Sequence, residues 1–308
     1  MWSDRRVTVV LALDVGGTKL AAGLVYGHGE GLVHDRAPTP VSLDAEVLWD
    51  AVTSVLDRVV ADGPAYDAVG IGCGGPMQWP EGKVSPINIH GWRDFPLLDR
   101  VRERYAGDRP AAIHNDAVAL AVAEHRWGAG QGHDHVLGMV VSTGVGGGLV
   151  VGGRRVDGGT GNAGHVGHVV VDPLGPSCPC GGRGCVEAIA RGPAMAEYAV
   201  SRGWKGEQTG VAVAEGARSG DPACLAAFER TGRAVGLGIV SACAVLDLDV
   251  VTIGGGVAQA GELFFGPVRR TFDEYAGLAF IRRCEIVPAR LGPLAGLSGA
   301  AALVLDQV

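Results

Sequence analysis

VTVVLALDVGGTKLAAGLVY, Val7 to Tyr26, sets two β-branched apolar runs on either side of a glycine pair. Val7–Val15 reads as a strand, Gly16 and Gly17 open a turn, and apolar sequence resumes directly after Lys19. That is the pattern of a β-hairpin, not of a strand feeding a helix. The distinction decides the fold, because P-loop and Rossmann phosphate sites both need a helix directly after their glycines. Neither motif is present.

The same design returns twice. VLGMVVSTGVGGG (Val136–Gly148) runs on into LVVGG, and DVVTIGGG (Asp249–Gly256) ends in a third glycine turn. Helical stretches fall between these strands. Asp44–Asp62 carries Val47, Leu48, Ala51, Val52, Val55, Leu56, Val59 and Val60 at helical spacing. Ala117–Trp127 is Ala-rich and opens behind Asn115 and Asp116, good residues for a helix start, and Cys224–Leu246 reads as one long, mostly buried helix. The chain is α/β, with hairpin strands mixed among helices. The expected division is a smaller N-terminal α/β domain over residues 1–114, completed by a returning segment 291–308, and a larger domain over residues 115–290. Two similar strand-and-glycine units, each opening one half, suggest an internal duplication.

Bulk properties narrow the function. With 308 residues and 47% hydrophobic content, the chain can bury two cores. A net charge of -7 without a basic block speaks against nucleic acid as the main partner. The longest charge-free apolar stretch, Ala234–Leu246, is short of the roughly 20 residues that span a bilayer. Asp14 interrupts the N-terminal apolar run, and no signal-peptide cleavage pattern follows. A soluble cytoplasmic protein, without membrane partner, is expected. Of seven cysteines, four are scattered (Cys73, Cys224, Cys243, Cys284) and three are clustered (Cys178, Cys180, Cys185). In a reducing compartment such a cluster is more often a metal site than a disulfide framework.

Glycine turns let backbone N–H groups approach an anion closely. In DVGGTK, Gly16 and Gly17 open the turn, Thr18 and Lys19 add donors, and Asp14 stands where a carboxylate can hold Mg2+ through water. In STGVGGG, Thr143, Gly144, Gly146 and Gly147 form the second loop. Any one of these could be only a tight turn; three in this order are harder to explain that way.

DVGGTK, STGVGGG and IGGGV together resemble the first phosphate, second phosphate and adenosine loops of the actin-like ATPase superfamily. CxCGxxGCxE, present as Cys178–Glu187, resembles the signature of the ROK family of repressors, open reading frames and sugar kinases. The resemblance runs from about Val9 to the LAGLSGAAAL tail. It implies a two-domain actin-like ATPase (ribonuclease H-like) fold with a cleft between the domains, ATP with Mg2+, and an adenosine loop at Gly254, Gly255 and Gly256.

Further residues follow from the same resemblance. His114–Asn115–Asp116–Ala117 is similar to the family's NDA motif, which makes Asp116 the general base and Asn115 a substrate contact. Asn115 and Asp116 could also simply cap the next helix, and the two roles are compatible. Asn88 in NIHGW and Gly75 in GCGGPM match sugar-cleft elements, with Trp92 packing beneath its loop. His90 stands where the family usually has Pro, and Val118 where a second Asn is common. The family pattern assigns the fourth metal ligand to His168 of HVGH, giving a closed structural Zn2+ site with Cys178, Cys180 and Cys185. Glu187 matches a sugar-binding Glu.

His165 departs from the pattern, because the family usually has ExGH at this turn. An imidazole offers one acceptor and one donor but no fixed charge. Four readings stay open: glucose held by Glu187 and His168, another hexose or a cyclitol, lost kinase activity, or His165 as an extra metal ligand. The expected function is ATP-dependent phosphorylation of a hydroxyl of a hexose or hexose-like polyol by a homodimer or homotetramer. A sugar-sensing repressor is the competing class; a first strand near Val7 leaves no room for its helix-turn-helix.

Overall fold

The computed structural model describes residues 7–308, and the chain forms two compact units. The first runs to Gln131 and takes in Arg155–Ala163 and Leu291–Val308; the second comprises Gly132–Arg154 and Gly164–Arg290. The division therefore lies beyond the expected end at His114. The reason is local: strand Ala111–Asn115 pairs into the first sheet, and the helix behind it, from Asp116, packs on helix Ala295–Ala302 of the C-terminal segment.

The first unit is built on β1 (Val9–Val15), β2 (Lys19–Tyr26), β3 (Gly31–Pro38), α1 (Ala45–Asp62), β4 (Ala68–Cys73), β5 (Met77–Gln78), β6 (Lys83–Val84), α2 (Leu97–Val101), β7 (Ala111–Asn115) and α3 (Asp116–Trp127). Its five-stranded sheet has the order β3-β2-β1-β4-β7. β1 and β2 form the expected antiparallel hairpin, closing at Val15 opposite Leu20, while β4 and β7 join in parallel. Alternation along β1 assigns its two faces. Leu11, Leu13 and Val15 pack with Leu48, Val52, Val55 and Leu56 of α1, and with Trp92 and Phe95. Val10 and Ala12 pack on Leu297, Ala300 and Ala301 from the C-terminal segment. Both faces are buried, which explains why β1 reads as a continuous apolar run. Asp44 caps α1, its side chain accepting from Glu46 N at 2.9 Å.

The second unit carries β8 (Val136–Val141), β9 (Val145–Val151), α4 (Val186–Ala190), α5 (Gly192–Ser201), α6 (Gly210–Arg218), α7 (Pro222–Leu246), β11 (Val250–Gly254), α8 (Glu262–Tyr275), α9 (Ala279–Arg282) and β12 (Glu285–Pro288), and the chain passes to the first unit within β10 (Arg154–Val156). The last helix of the chain, α10 (Ala295–Ala302), returns to the first unit. The second sheet has the order β10-β9-β8-β11-β12, with β8 and β9 antiparallel and β11 and β12 parallel. Strand for strand this repeats the first sheet, as an internal duplication would. α7 starts at Pro222 behind Asp221, whose carboxylate accepts from Ala223 N and Cys224 N at 2.9 and 3.0 Å. Gly232 and Gly236 let α7 press against Pro267 and Thr271 of α8. No helix among the described residues is long and apolar enough to cross a membrane.

Candidate functional site

In the first unit the expected site residues converge where β1, β4 and β7 end. Register places Asp14 beside Gly72, and Cys73 beside Asn115. A Cβ on Gly72 would lie 3.9 Å from both Asp116 Cα and Asp14 Oδ1, which places this strand end between the two acidic residues. Asn115 is buried and Asp116 exposed. Both cap α3: Asn115 Oδ1 and Asp116 Oδ1 accept from Ala117 N at 3.0 and 2.8 Å. Burial, and then the Asp116 carboxylate, push the Asp14 carboxyl from 3.8 up to about 7, while Lys19 pulls it down. Burial and the same two carboxylates push the Cys73 thiol well up.

The first glycine loop is braced from residues that motif reading passes over. Gly16 N donates to Lys19 O at 3.0 Å, and the buried Thr39 hydroxyl donates to Gly16 O at 2.7 Å. Gly17, Thr18 and Lys19 are exposed, Lys19 as the first residue of β2. Gly17 approaches Asn88 so closely that a Cβ would fall 2.6 Å from the Asn88 Cβ. A Cβ on Gly75 would sit 3.1 Å from Asn115 Nδ2. Arg93 NH1 shapes the Asn88 loop by donating to Pro86 O and Ile89 O at 3.2 and 3.1 Å. Trp92 is 1% exposed, stacks on Phe95 at 4.4 Å and donates to Ala45 O, so it packs as expected. Gly296 of α10 was missed as well: a side chain there would collide with the Asp14 carboxylate. Nothing in the LAGLSGAAAL tail signals that contact.

In the second unit, the β8–β9 turn holds Thr143 and Gly144, and Ser142 N donates to Gly144 O at 2.8 Å. Gly146 and Gly147 lie in β9 rather than in the loop; Gly146 pairs with Val140 and Gly147 with Met139. Glu187, in the first turn of α4, meets this loop: its Oε2 accepts from Val145 N at 2.8 Å, and a Cβ on Gly144 would come within 2.8 Å of it. Gly254 ends β11, and Gly255 follows at φ +96° with its Cα against the Val141 carbonyl, where a side chain would clash. Thr143 and Gly256 both line a cavity of about 540 Å3, together with Gln208, Arg218, Val257 and Gln259. Gln208, Arg218 and Gln259 stand in no motif.

The HVGH turn lies on the same hairpin. Gly167 packs on the Val145 carbonyl, and Gly147 of β9 sits under Gly164 and Val166, so the turn glycine and the strand glycine are both required by close approach. The His165 and His168 rings run nearly parallel, 6.2 Å apart. His168 Nδ1 faces Cys178 Sγ at 3.8 Å, and Cys180 Sγ lies 3.9 Å from Cys185 Sγ. All four ligand atoms fall within 4.8 Å of one another. Tetrahedral Zn2+ with Zn–S bonds near 2.3 Å separates its sulfurs by about 3.8 Å, so the donor set fits that ion. Of the three thiols, only Cys180 is exposed. Burial and the two neighbouring sulfurs push the Cys185 thiol up to about 12, a repulsion that a cation would relieve. His165 is not among the clustered ligands.

Comparison with known proteins identifies the family. The ROK family profile matches residues 10–307. A glucokinase from Thermotoga maritima is 32% identical over 97% of this chain and 98% of its own. An N-acetylmannosamine kinase from Yersinia pseudotuberculosis is 34% identical over 94% and 96%. Among solved structures, a ROK family glucokinase from Streptomyces griseus, in complex with glucose and AMPPNP, superposes with a TM-score of 0.85. It shares 35% identity and covers 98% of this chain and 100% of its own.

Proposed function

The chain belongs to the ROK family as an ATP-dependent sugar kinase, and from that premise we propose that Asp116 is its general base toward a hydroxyl of a hexose or hexose-like polyol. One observation carries the reading most: Asp14, Asn115 and Asp116 gather at the carboxyl ends of parallel strands and Asn88 meets the first glycine loop, with Gly17 and Gly75 allowing the close approaches. Asn115 and Asn88 bind and orient the acceptor. An Asp116 carboxylate oxygen takes the proton of the attacking hydroxyl as the phosphoryl group transfers. Bound ATP would supply that group, and Asp14 would hold its Mg2+. The N–H groups of the second loop would receive phosphate oxygens, and the cavity lined by Thr143 and Gly256 would take the adenosine.

Glu187 braces the second loop through Val145 N and contacts the acceptor beside it. Cys178, Cys180, Cys185 and His168 hold a structural Zn2+ that fixes the HVGH turn and takes no part in bond making. His168 spends its Nδ1 on that cluster, so its part in acceptor binding falls to the rest of the ring. The enzyme works in the cytoplasm as a homodimer or homotetramer.

A second reading concerns the acceptor alone. His165 lies in the turn beside His168 and carries no fixed negative charge, which favours a hexose other than glucose, or a cyclitol. The two kinases above, of similar identity and different sugar, support leaving that choice to measurement. ADP release would be followed with Mg-ATP and glucose, mannose, fructose, allose, N-acetylated hexosamines and cyclitols. Turnover with at least one acceptor is expected; none across the panel would overturn the kinase reading.

A further inference from the structure

His114 precedes the NDA motif and is wholly buried. Its Nδ1 accepts from Asn115 N at 2.8 Å. A neutral imidazole carries one N–H, so the other nitrogen, Nε2, is the donor, and it meets Asp157 Oδ1 at 3.0 Å. Asp157 is held in turn by Arg155, whose Nε and NH2 donate to its two oxygens at 2.6 and 3.3 Å. The indole of Trp79 packs beside the His114 ring at 5.9 Å, and Gly161 packs on that indole. A chain from the partly exposed Arg155 and Asp157 to the buried His114 thus ends on the backbone N–H of Asn115, one residue before Asp116.

We propose that His114, kept as the Nε2–H tautomer by Asp157, is a positioning residue for Asn115 and Asp116. This rests on the reading that Asp116 is the base. The tautomer matters because an Nδ1–H ring would point a donor at the Asn115 N–H, itself a donor. The end of β7 would then shift, and with it the cap that starts α3 and aims both side chains. Asp157, anchored by Arg155, selects the correct form as a carboxylate selects the tautomer of other histidines. The segment Arg155–Ala163, far along the chain, is thereby made part of the catalytic end of the first unit.

Two side-chain replacements separate the contacts. His114→Asn keeps an acceptor near the Nδ1 position and loses the reach to Asp157; His114→Gln keeps the reach and loses the acceptor. With an acceptor found by the panel above, kcat should fall about 10–100-fold in His114→Gln and Asp157→Ala, and less in His114→Asn. KM for ATP should change less than twofold. Long-range 1H–15N correlation on the intact wild-type protein should show His114 protonated at Nε2, with mixed tautomers in Asp157→Ala. An Nδ1–H form in the wild type, or a folded Asp157→Ala with kcat within twofold, would overturn the proposal. Asp116→Asn run alongside separates the two readings. If it too retains turnover, the base assignment fails; if it alone is inactive, only the positioning role fails.

Discussion

Asp14→Asn should make the apo protein more stable at pH 8 while disabling it as a kinase. Burial, reinforced by the Asp116 carboxylate, raises the Asp14 pKa from 3.8 to about 7. A tenfold change in proton affinity corresponds to about 1.4 kcal/mol, so keeping this group ionised costs the folded state about 4 kcal/mol. The sign follows from proton binding. The folded state holds the proton more tightly, so protonation favours folding fully below the unfolded value near 3.8. That support is lost as pH rises through about 7. Asn removes the charge but leaves an amide against Gly296, so a net gain of about 1–3 kcal/mol is expected at pH 8. For a unit of this size that is on the order of 3–10 °C in Tm. Denaturation of zinc-loaded protein free of Mg2+ and nucleotide, at pH 8 and pH 5, provides the assay. The advantage should be largest at pH 8 and shrink at pH 5, with Mg-ATP turnover down at least about 100-fold. An equal advantage at both pH values, or none at pH 8, would refute the reasoning.

Elemental analysis should find about one zinc per chain, and Cys178→Ser should lose the metal and lower the Tm of the second unit. Fully folded, metal-free wild-type protein would contradict the site. Gly144→Ala should cut kcat/KM for both substrates about 10–100-fold, because its Cβ would displace Glu187 Oε2 from Val145 N. Kinetics close to wild type would show that the loop yields. Gly255→Ala, at φ +96° and against the Val141 carbonyl, should cost about 1–3 kcal/mol of stability, read by chemical denaturation. His165→Glu should change the ranking of acceptors in the panel more than it changes KM for ATP; an unchanged ranking would remove His165 from the acceptor site.

The glycine hairpins were legible because their signal is local: two β-branched runs around a glycine pair define both the strands and the turn. Asn115 and Asp116 were legible twice over, as helix caps and as a motif. The thiol cluster was legible from spacing, although burial of Cys178 and Cys185 was not. What escaped depends on approaches between distant parts of the chain. Gly296 reads as an ordinary small residue of an apolar tail until α10 sets it against Asp14. Thr39 latches a loop that precedes it by a whole hairpin, and Asp157 meets His114 from beyond the next three strands. Gly146 looked like loop because glycine runs blur the end of a turn, and the β8–β9 ladder claims it as strand. The first compact unit runs on past the motif to Gln131, and composition does not change where β7 joins the first sheet and α3 follows it.

The most direct test of the account is steady-state phosphoryl transfer by Asp116→Asn, with folding checked by its spectrum and zinc content. Asn keeps the cap to Ala117 N and the side-chain volume, and removes the charge together with the ability to take a proton. The account expects kcat to fall about 100- to 10,000-fold, with KM for ATP and acceptor little changed. A folded, zinc-loaded Asp116→Asn enzyme turning over within tenfold of wild type would contradict it.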